Sequence, residues 1–219
     1  TEALQSLWNR KAMVRFFNVN RNIFLRTLCL VSVTLFFTSA GAAQGEVVLA
    51  VNTLLMQLFT LYSYIMDGFA FAGEALSGRY IGARHTEAFY STVRRLFGWG
   101  GVMALLFTLT YALGGEAFLR LLTSEEEVIA ASATYFPWAL LIPLCGLAAF
   151  IWAGIYIGAT ATRGMLISMA VATLTFFLLY AALHATWGNH ALWLSFLAYL
   201  TQRGLVQTLL RKQVYRKTS

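Results

Sequence analysis

Long apolar runs separated by short polar or glycine-containing segments make up most of this chain. A membrane-spanning helix needs about 20 mostly apolar residues. Six stretches meet that requirement, approximately at residues 23–43, 48–75, 93–115, 131–154, 164–185 and 190–210. The pattern predicts an all-α fold, a polytopic bundle of six transmembrane helices.

The segments that flank the apolar runs divide the chain further. The first 22 residues mix apolar side chains such as Trp8 and Phe16 with Arg10 and Arg15, a combination typical of an amphipathic helix on a membrane surface. We therefore predict a cytoplasmic amphipathic linker helix at residues 1–22, a six-helix transmembrane lobe at 23–210 and a basic cytoplasmic tail at 211–219. Because the start is polar and basic, we expect no signal peptide.

The amino-acid composition indicates that most of this protein is surrounded by lipid and not by water. Hydrophobic residues make up 59% of the 219 residues and charged residues only 11%, against about 25% charged in a soluble domain. The net charge of +7 would favour nucleic acid in a soluble protein. Here the basic residues flank apolar runs, and the sequence contains no phosphate-binding GxxxxGK[ST] loop. We expect membrane lipid as a partner and no nucleic acid.

No candidate for catalysis or metal binding emerges from the sequence. A membrane-embedded enzyme would need a nucleophile–base pair or a ligand cluster within the spans, and the sequence shows neither. Cys29 and Cys145 both fall inside apolar runs, where a free cysteine behaves as a small hydrophobe. The prediction is a protein that is not an enzyme, with no catalytic residue, no metal and no cofactor.

The distribution of charge predicts the orientation. With the N-terminus placed in the cytoplasm, the six spans put every Lys and Arg of the 16 on the inside except Arg120. Glu46, Glu116 and the run 125–127 fall outside. Such a bias follows the positive-inside rule. We predict a multi-pass protein of the inner (cytoplasmic) membrane with both termini of this segment in the cytoplasm.

The second predicted span carries a polar stripe. Residues spaced by three and four lie on one face of a helix, and this face holds Thr53, Gln57, Thr60, Tyr64, Asp67, Phe71, Glu74 and Gly78. The opposite face holds Leu54, Leu55, Leu58, Leu61, Ile65 and Phe69. A polar stripe gains nothing by facing lipid, so we predict that it lines a bundle interior or a wet cavity.

Asp67 is the most informative residue of the stripe, because a carboxylate at the centre of a span costs about 2.5–3.5 kcal/mol on insertion scales. One interpretation is a proton or cation-coupling site in an aqueous pathway; the other is a structural Asp bonded to a neighbouring helix. The candidates for lining a cavity are Asn52, Gln57, Thr60, Tyr64 and Glu74. Each alone also fits a simple interhelical hydrogen bond, and Glu74 fits an interfacial ion pair with Arg79 or Arg84 better.

Three segments resemble motifs of the multidrug and toxic compound extrusion (MATE) transporters, in particular the subgroup named for DNA-damage-inducible protein F. The first leads from 21–28 to Gly41-Ala42-Ala43, and the second runs from Asp67-Gly68-Phe69-Ala70 through Gly73-Glu74-Ala75 to Gly82. The third covers 154–163. The resemblance extends over nearly the whole chain.

This resemblance implies a fold and a function. Such transporters have twelve spans in two six-helix lobes, and the likeness is to the second lobe, so an N-terminal six-helix lobe would be a partner missing from this chain. It implies alternating-access export of cationic or amphipathic drug-like molecules in exchange for H⁺ or Na⁺. One departure is Ala153, where the subgroup pattern usually has Asp, which puts a second-lobe cation site in doubt.

Two alternatives remain open at this point. One is a flippase for a lipid-linked oligosaccharide within the same superfamily, whose cavity would be more cationic. The sequence places arginines near the ends of the spans, which argues against it. The other is a half-size membrane protein that acts as a dimer.

Overall fold

The fold, taken from a computed structural model that describes residues 10–217, is a bundle of helices. The helices are α1 (Arg10–Ala42), α2 (Glu46–Gly82), α3 (Thr86–Leu122), α4 (Glu126–Gly158), α5 (Thr162–Trp187), α6 (Asn189–Leu209) and the short α7 (Lys212–Tyr215). The all-α prediction is confirmed. Trp8 and the rest of residues 1–9 of the predicted linker lie outside the described residues.

Five of these helices, α1 to α5, are long and apolar enough to cross a membrane by length and composition. The predicted sixth span corresponds to α6, a helix of 21 residues that would extend about 30 Å at 1.5 Å per residue. Its composition is more polar because it carries Asn189, Ser195, Arg203 and Gln207, all of which are buried. The polar side chains of α6 thus face other helices, where they need not meet lipid.

Successive helices run up and down, so that alternate connections meet at the same end of the bundle. At one end, Lys217 of the tail donates hydrogen bonds to the α4–α5 connection at Ala159 and Thr160, and Arg15 donates to the same Thr160 hydroxyl. Both ends of the described chain therefore lie on one side, together with the basic connections. This agrees with the charge pattern; which side of a membrane it faces stays a prediction.

The predicted boundary between linker and lobe is not visible as a break. Helix α1 continues without interruption from Arg10 to Ala42, through the predicted boundary at residues 22 and 23. Its first turns, up to about residue 25, are mostly exposed, and burial begins with Val33 and Phe37. One helix thus combines a surface segment with a span.

Helix α4 forms the centre of the bundle and packs most extensively against α2. Two glycines one turn apart, Gly154 and Gly158, permit this close packing. A side chain at Gly154 would collide with the backbone of Ala70, and one at Gly158 with the backbone of Glu74. Small residues at this spacing let helix backbones approach closely within membranes. The crossing fixes the height of α2 against α4, and with it the position of Asp67, which lies one turn from Ala70.

Candidate functional site

A pocket of about 250 Å³ opens between α1, α2 and α6. Three of the predicted cavity-lining residues, Asn52, Gln57 and Thr60, line it together. Phe196, Tyr199 and Arg203 of α6 also line it, together with the aromatic rings of Phe37 on α1 and Phe59 on α2. Arg203 is the charged residue among the described pocket-lining side chains.

Asn52 is held in a buried hydrogen-bond network at the end of this pocket that is nearer the first residues of α2 and α6. Its side chain is 2% exposed and exchanges reciprocal hydrogen bonds of 2.8 Å with the amide of Asn189. The indole Nε1 of Trp193 donates to the same Asn52 oxygen at 2.9 Å. With its acceptor oxygen already receiving two donors, Asn52 ties α2 to α6 rather than presenting a free carbonyl to a ligand.

A charged cluster adjoins the pocket at Tyr199 and Arg203. It consists of Arg26 on α1, Asp67 on α2, and Tyr199 and Arg203 on α6, and we call it the charge cluster. Asp67 interacts electrostatically with Arg203 and Arg26, although no N–O distance of 4.0 Å or less joins it to an arginine within residues 10–217. The Arg203 guanidinium carbon lies 5.4 Å from the centre of the Tyr199 ring, within the range of a cation–π contact.

The formal charges of the charge cluster do not cancel. With Asp67 ionised, its two guanidinium groups and one carboxylate sum to +1. Arg203 is only 6% exposed, and buried charges are retained only where they are paired or solvated. Asp67 is therefore the group that offsets the repulsion between Arg26 and Arg203, and its protonation state changes the charge of the whole cluster.

The remaining predicted residues occupy other positions. Tyr64 is 70% exposed, and neither Tyr64 nor Glu74 is among the residues that line the pocket. Glu74 forms no ion pair with Arg79 or Arg84 within 4.0 Å, so the alternative proposed for it is not visible in the structure. The structure thus brings the first half of the stripe, from Thr53 to Thr60, to the pocket with Asp67 near it. Tyr64 and Glu74 lie apart from the pocket.

The first half of the predicted apolar face of α2 packs inside this lobe, whereas Leu61 and Ile65 of its second half are each 39% exposed. Leu54, Leu55, Leu58, Tyr62 and Met66 are buried, whereas the stripe lies along the side of the bundle, partly covered by α1 and α6. Tyr62 strengthens the inner face, because its hydroxyl donates to the carbonyl oxygen of Pro143 on α4 at 2.8 Å. The stripe thus borders a groove at the surface of the lobe.

Sequence reasoning missed the role of Arg203 and Tyr199. Arg203 was grouped with the arginines near the span ends and Tyr199 was not singled out, yet both are buried beside the pocket. A signal was available for Arg203: it precedes the end of α6 at Leu209 by six residues, or about 9 Å at 1.5 Å per residue. For Ala153, which is 8% exposed, the structure shows a buried methyl group where the resemblance leads one to expect a carboxylate.

Taken together, the fold and its groove define a polytopic α-helical membrane bundle, and comparison with known proteins gives the family. The MatE family model matches residues 23–183. The chain belongs to the MATE family, whose members are transporters and not enzymes, and the predictions on family and absence of enzymatic activity are confirmed.

Two relatives show which part of a family member this chain resembles. It is 39% identical over 205 residues to DNA damage-inducible protein F of Escherichia coli K12, a match that covers 93% of this chain and 44% of that protein. The matched region is the C-terminal part of the relative. It is 22% identical over 213 residues to Protein DETOXIFICATION 42 of Arabidopsis thaliana, covering 91% and 41%. The chain spans less than half the length of either relative.

Proposed function

We propose that this chain forms the second lobe of a secondary active transporter of the inner membrane. An N-terminal six-helix lobe would face the groove beside α2, and the two lobes would alternate access between the two sides of the membrane. The transporter would export cationic or amphipathic drug-like molecules in exchange for H⁺ or Na⁺. Family membership and the match to the C-terminal part of a longer relative support this assignment.

The observation that carries the coupling proposal is the position of Asp67. It is a carboxylate inside a predicted span, under the electrostatic influence of two arginines from different helices and near a pocket with polar walls. Intramembrane carboxylates that face a cavity mark ion pathways and proton relays. We propose Asp67 as the residue that binds the coupling ion.

Binding at Asp67 would bias the packing of three helices. A proton on Asp67 raises the charge of the cluster from +1 to +2, and Arg26 and Arg203 then repel each other without a carboxylate between them. A Na⁺ ion held by Asp67 would have the same effect on the total charge. A ligand shifts a conformational equilibrium by its differential affinity for the two states. A state in which α1 and α6 are farther apart would reduce the repulsion between Arg26 and Arg203, and the coupling ion would bind more tightly to that state.

A transport assay with the natural full-length protein tests this assignment. In inside-out vesicles, uptake of a fluorescent cationic dye is driven by an imposed H⁺ or Na⁺ gradient, with expression measured in parallel. Asp67→Asn should abolish gradient-driven uptake and drug resistance without lowering expression. Glu74→Gln, on the same helix but away from the pocket, is the matched control and should retain uptake. Full activity of Asp67→Asn would leave Asp67 as a structural residue.

The buried position of Arg203 favours a second candidate function. The flippase alternative was disfavoured because arginines lie near the ends of the spans, whereas the structure places Arg203 on the pocket wall. A cationic wall suits the phosphate groups of a lipid-linked oligosaccharide. The two functions separate in the same vesicles: uptake of the cationic dye supports the exporter, whereas translocation of a fluorescent lipid diphosphate, lost in Arg203→Gln, supports the flippase.

A further inference from the structure

A second pocket lies at the end of the bundle where the two ends of the described chain meet. It has a volume of about 470 Å³ and lies between the first turns of α1 and the α4–α5 connection. Its walls hold Arg10, Lys11, Val14, Arg15, Asn18, Val19, Asn22, Thr160 and Thr162. We call it the basic pocket, since these lining residues, all within the described range 10–217, include three cations and no carboxylate.

Hydrogen bonds hold the walls of the basic pocket in place. Asn22 Nδ2 donates to the Thr162 hydroxyl oxygen at 3.2 Å, and Arg15 Nη2 donates to the Thr160 hydroxyl oxygen at 3.3 Å. Lys217 of the tail adds a further cation at the same threonine, donating to its carbonyl oxygen at 3.0 Å and to its hydroxyl oxygen at 3.2 Å. Helix α1, the α4–α5 connection and the tail therefore converge on one positively charged position.

This convergence brings like charges close together. Burial lowers the pKa of Lys217, and the neighbouring Arg15 guanidinium lowers it further. Within residues 10–217, the ion pairs are those of Arg120 with Glu116 and Glu126 at the opposite end of the bundle. Arg10 and Arg15 form no ion pair with a carboxylate in that range, so an anion from outside would relieve the repulsion.

The surroundings of the basic pocket indicate where that anion comes from. Phe16 and Phe17, which follow Arg15 on α1, are 64% and 63% exposed, and their rings contact each other edge to face with centroids 5.8 Å apart. A helix that combines basic and exposed aromatic side chains lies in the interface between headgroups and acyl chains. At helical spacing the two rings lie on the other side of α1 from the pocket-lining residues. They therefore place this part of α1 in the interface, at the depth where lipid phosphates lie, and make a lipid headgroup the anion nearest to the pocket.

We propose that the basic pocket binds the headgroup of an anionic phospholipid from the leaflet at this end of the bundle. The Arg10 and Arg15 guanidinium groups bind the phosphate by charge-assisted hydrogen bonds, and the Asn18 amide provides a further polar contact. Basic pockets of this kind between membrane helices hold anionic headgroups. The bound lipid would fix the first turns of α1 against the α4–α5 connection and the tail.

The test compares two lipids that differ in their headgroup, one anionic and one zwitterionic. Phosphatidylglycerol and phosphatidylcholine, each labelled on one acyl chain, are titrated by fluorescence anisotropy with the natural full-length protein that carries this chain, purified in a neutral detergent. We expect tighter binding of phosphatidylglycerol. Arg10→Gln with Arg15→Gln should weaken that binding by roughly 10- to 30-fold, because each basic residue near a surface contributes about 1 kcal/mol to the attraction.

Matched variants separate the pocket from net charge. Arg94→Gln with Arg95→Gln removes two exposed cations near the same end of the bundle, at a different helix, and should leave binding within about twofold. Arg10→Lys with Arg15→Lys keeps both charges and should restore most of the affinity. Equal elution of all variants on size exclusion shows that they are folded.

Three results would overturn the proposal. Equal binding of the two lipids would show that no charged headgroup is recognised. Equal weakening by the Arg94 and Arg95 variant would show that only net charge matters. If inorganic phosphate, at constant ionic strength, displaced the lipid as effectively as unlabelled phosphatidylglycerol does, the site would be one for free phosphate and not for lipid.

Discussion

The crossing of α2 and α4 gives a prediction whose size follows from the coordinates. A Cβ atom added at Gly154 would lie 2.6 Å from the carbonyl carbon and 2.7 Å from the Cα atom of Ala70, and closer still to the Ala70 oxygen. Ordinary contacts begin near 3.4 Å, so the carbon contact alone requires the helices to move apart by about 0.8 Å (3.4 − 2.6). The obstacle is backbone, which no rotamer change can remove.

The cost of Gly154→Ala is the difference between two effects. Overpacking a well-packed contact costs about 1–3 kcal/mol, and the upper end applies here because the colliding atoms are backbone. Alanine in a helix gains about 1 kcal/mol over glycine. The net expectation is a loss of about 2 kcal/mol, or a fall in Tm of about 4–8 °C at 2–4 °C per kcal/mol.

Gly101→Ala provides the control, since a Cβ atom at Gly101 meets nothing within 4 Å and Gly101 also lies within a helix, α3. It keeps the propensity gain without the collision, so its Tm should stay the same or rise by about 2–4 °C. Thermal unfolding in detergent, followed by tryptophan fluorescence, measures both variants. If Gly154→Ala were as stable as Gly101→Ala, the close approach of the two backbones would be refuted.

Two further predictions concern other contacts. Asn52→Leu leaves Asn189 and Trp193 without their partner and should destabilise the protein by about 1–2 kcal/mol in the same thermal assay. The control Thr53→Ala, at an exposed position, should change stability little. Equal effects of the two variants would show that the Asn52 hydrogen bonds do not stabilise the protein. The pKa of Lys217 is lowered by burial and by Arg15, so just below pH 10.5 this residue holds more protons in the unfolded chain than in the folded one, and its contribution to stability should rise with pH towards that value. Burial raises the pKa of Tyr215, which contributes the opposite slope, so the measured quantity is the difference between wild type and Lys217→Met in chemical unfolding across the window. That difference should grow with pH, and a constant difference would refute the contribution of Lys217.

The span pattern was predictable from the sequence because a single physical requirement governs it. Apolar runs of membrane length have few other uses, and five of the six predicted runs coincide with helices that qualify by length and composition. The sixth run was harder to assess by composition alone, since Arg203 and Gln207 lower its hydropathy. Their burial depends on neighbours from α4 and α5, which no local pattern specifies.

The candidate site was only partly predictable for a related reason. Helical spacing places Asn52, Gln57, Thr60 and Asp67 near one face of α2, but it does not say which helix covers each residue. Asn189 is the first residue of α6, and only the tertiary packing makes it the partner of Asn52. Likewise, the arginines beside Asp67 come from α1 and α6, more than 40 and 130 residues away in sequence.

The arrangement of polar groups on α2 and α6 distinguishes two kinds of burial in this lobe. On α6, polar side chains such as Gln207 and Ser195 face inward and are covered by the lobe itself. On α2 the arrangement differs: Leu54, Leu55 and Leu58 are inside, while Gln57 and Tyr64 of the stripe are exposed at its side. Exposed polar groups at membrane depth are stable only against water or another protein surface. This orientation is the one that a lobe needs if the wall of its transport pathway is to be completed by a second lobe, and it is why we propose that the groove beside α2, rather than the centre of the bundle, carries the function.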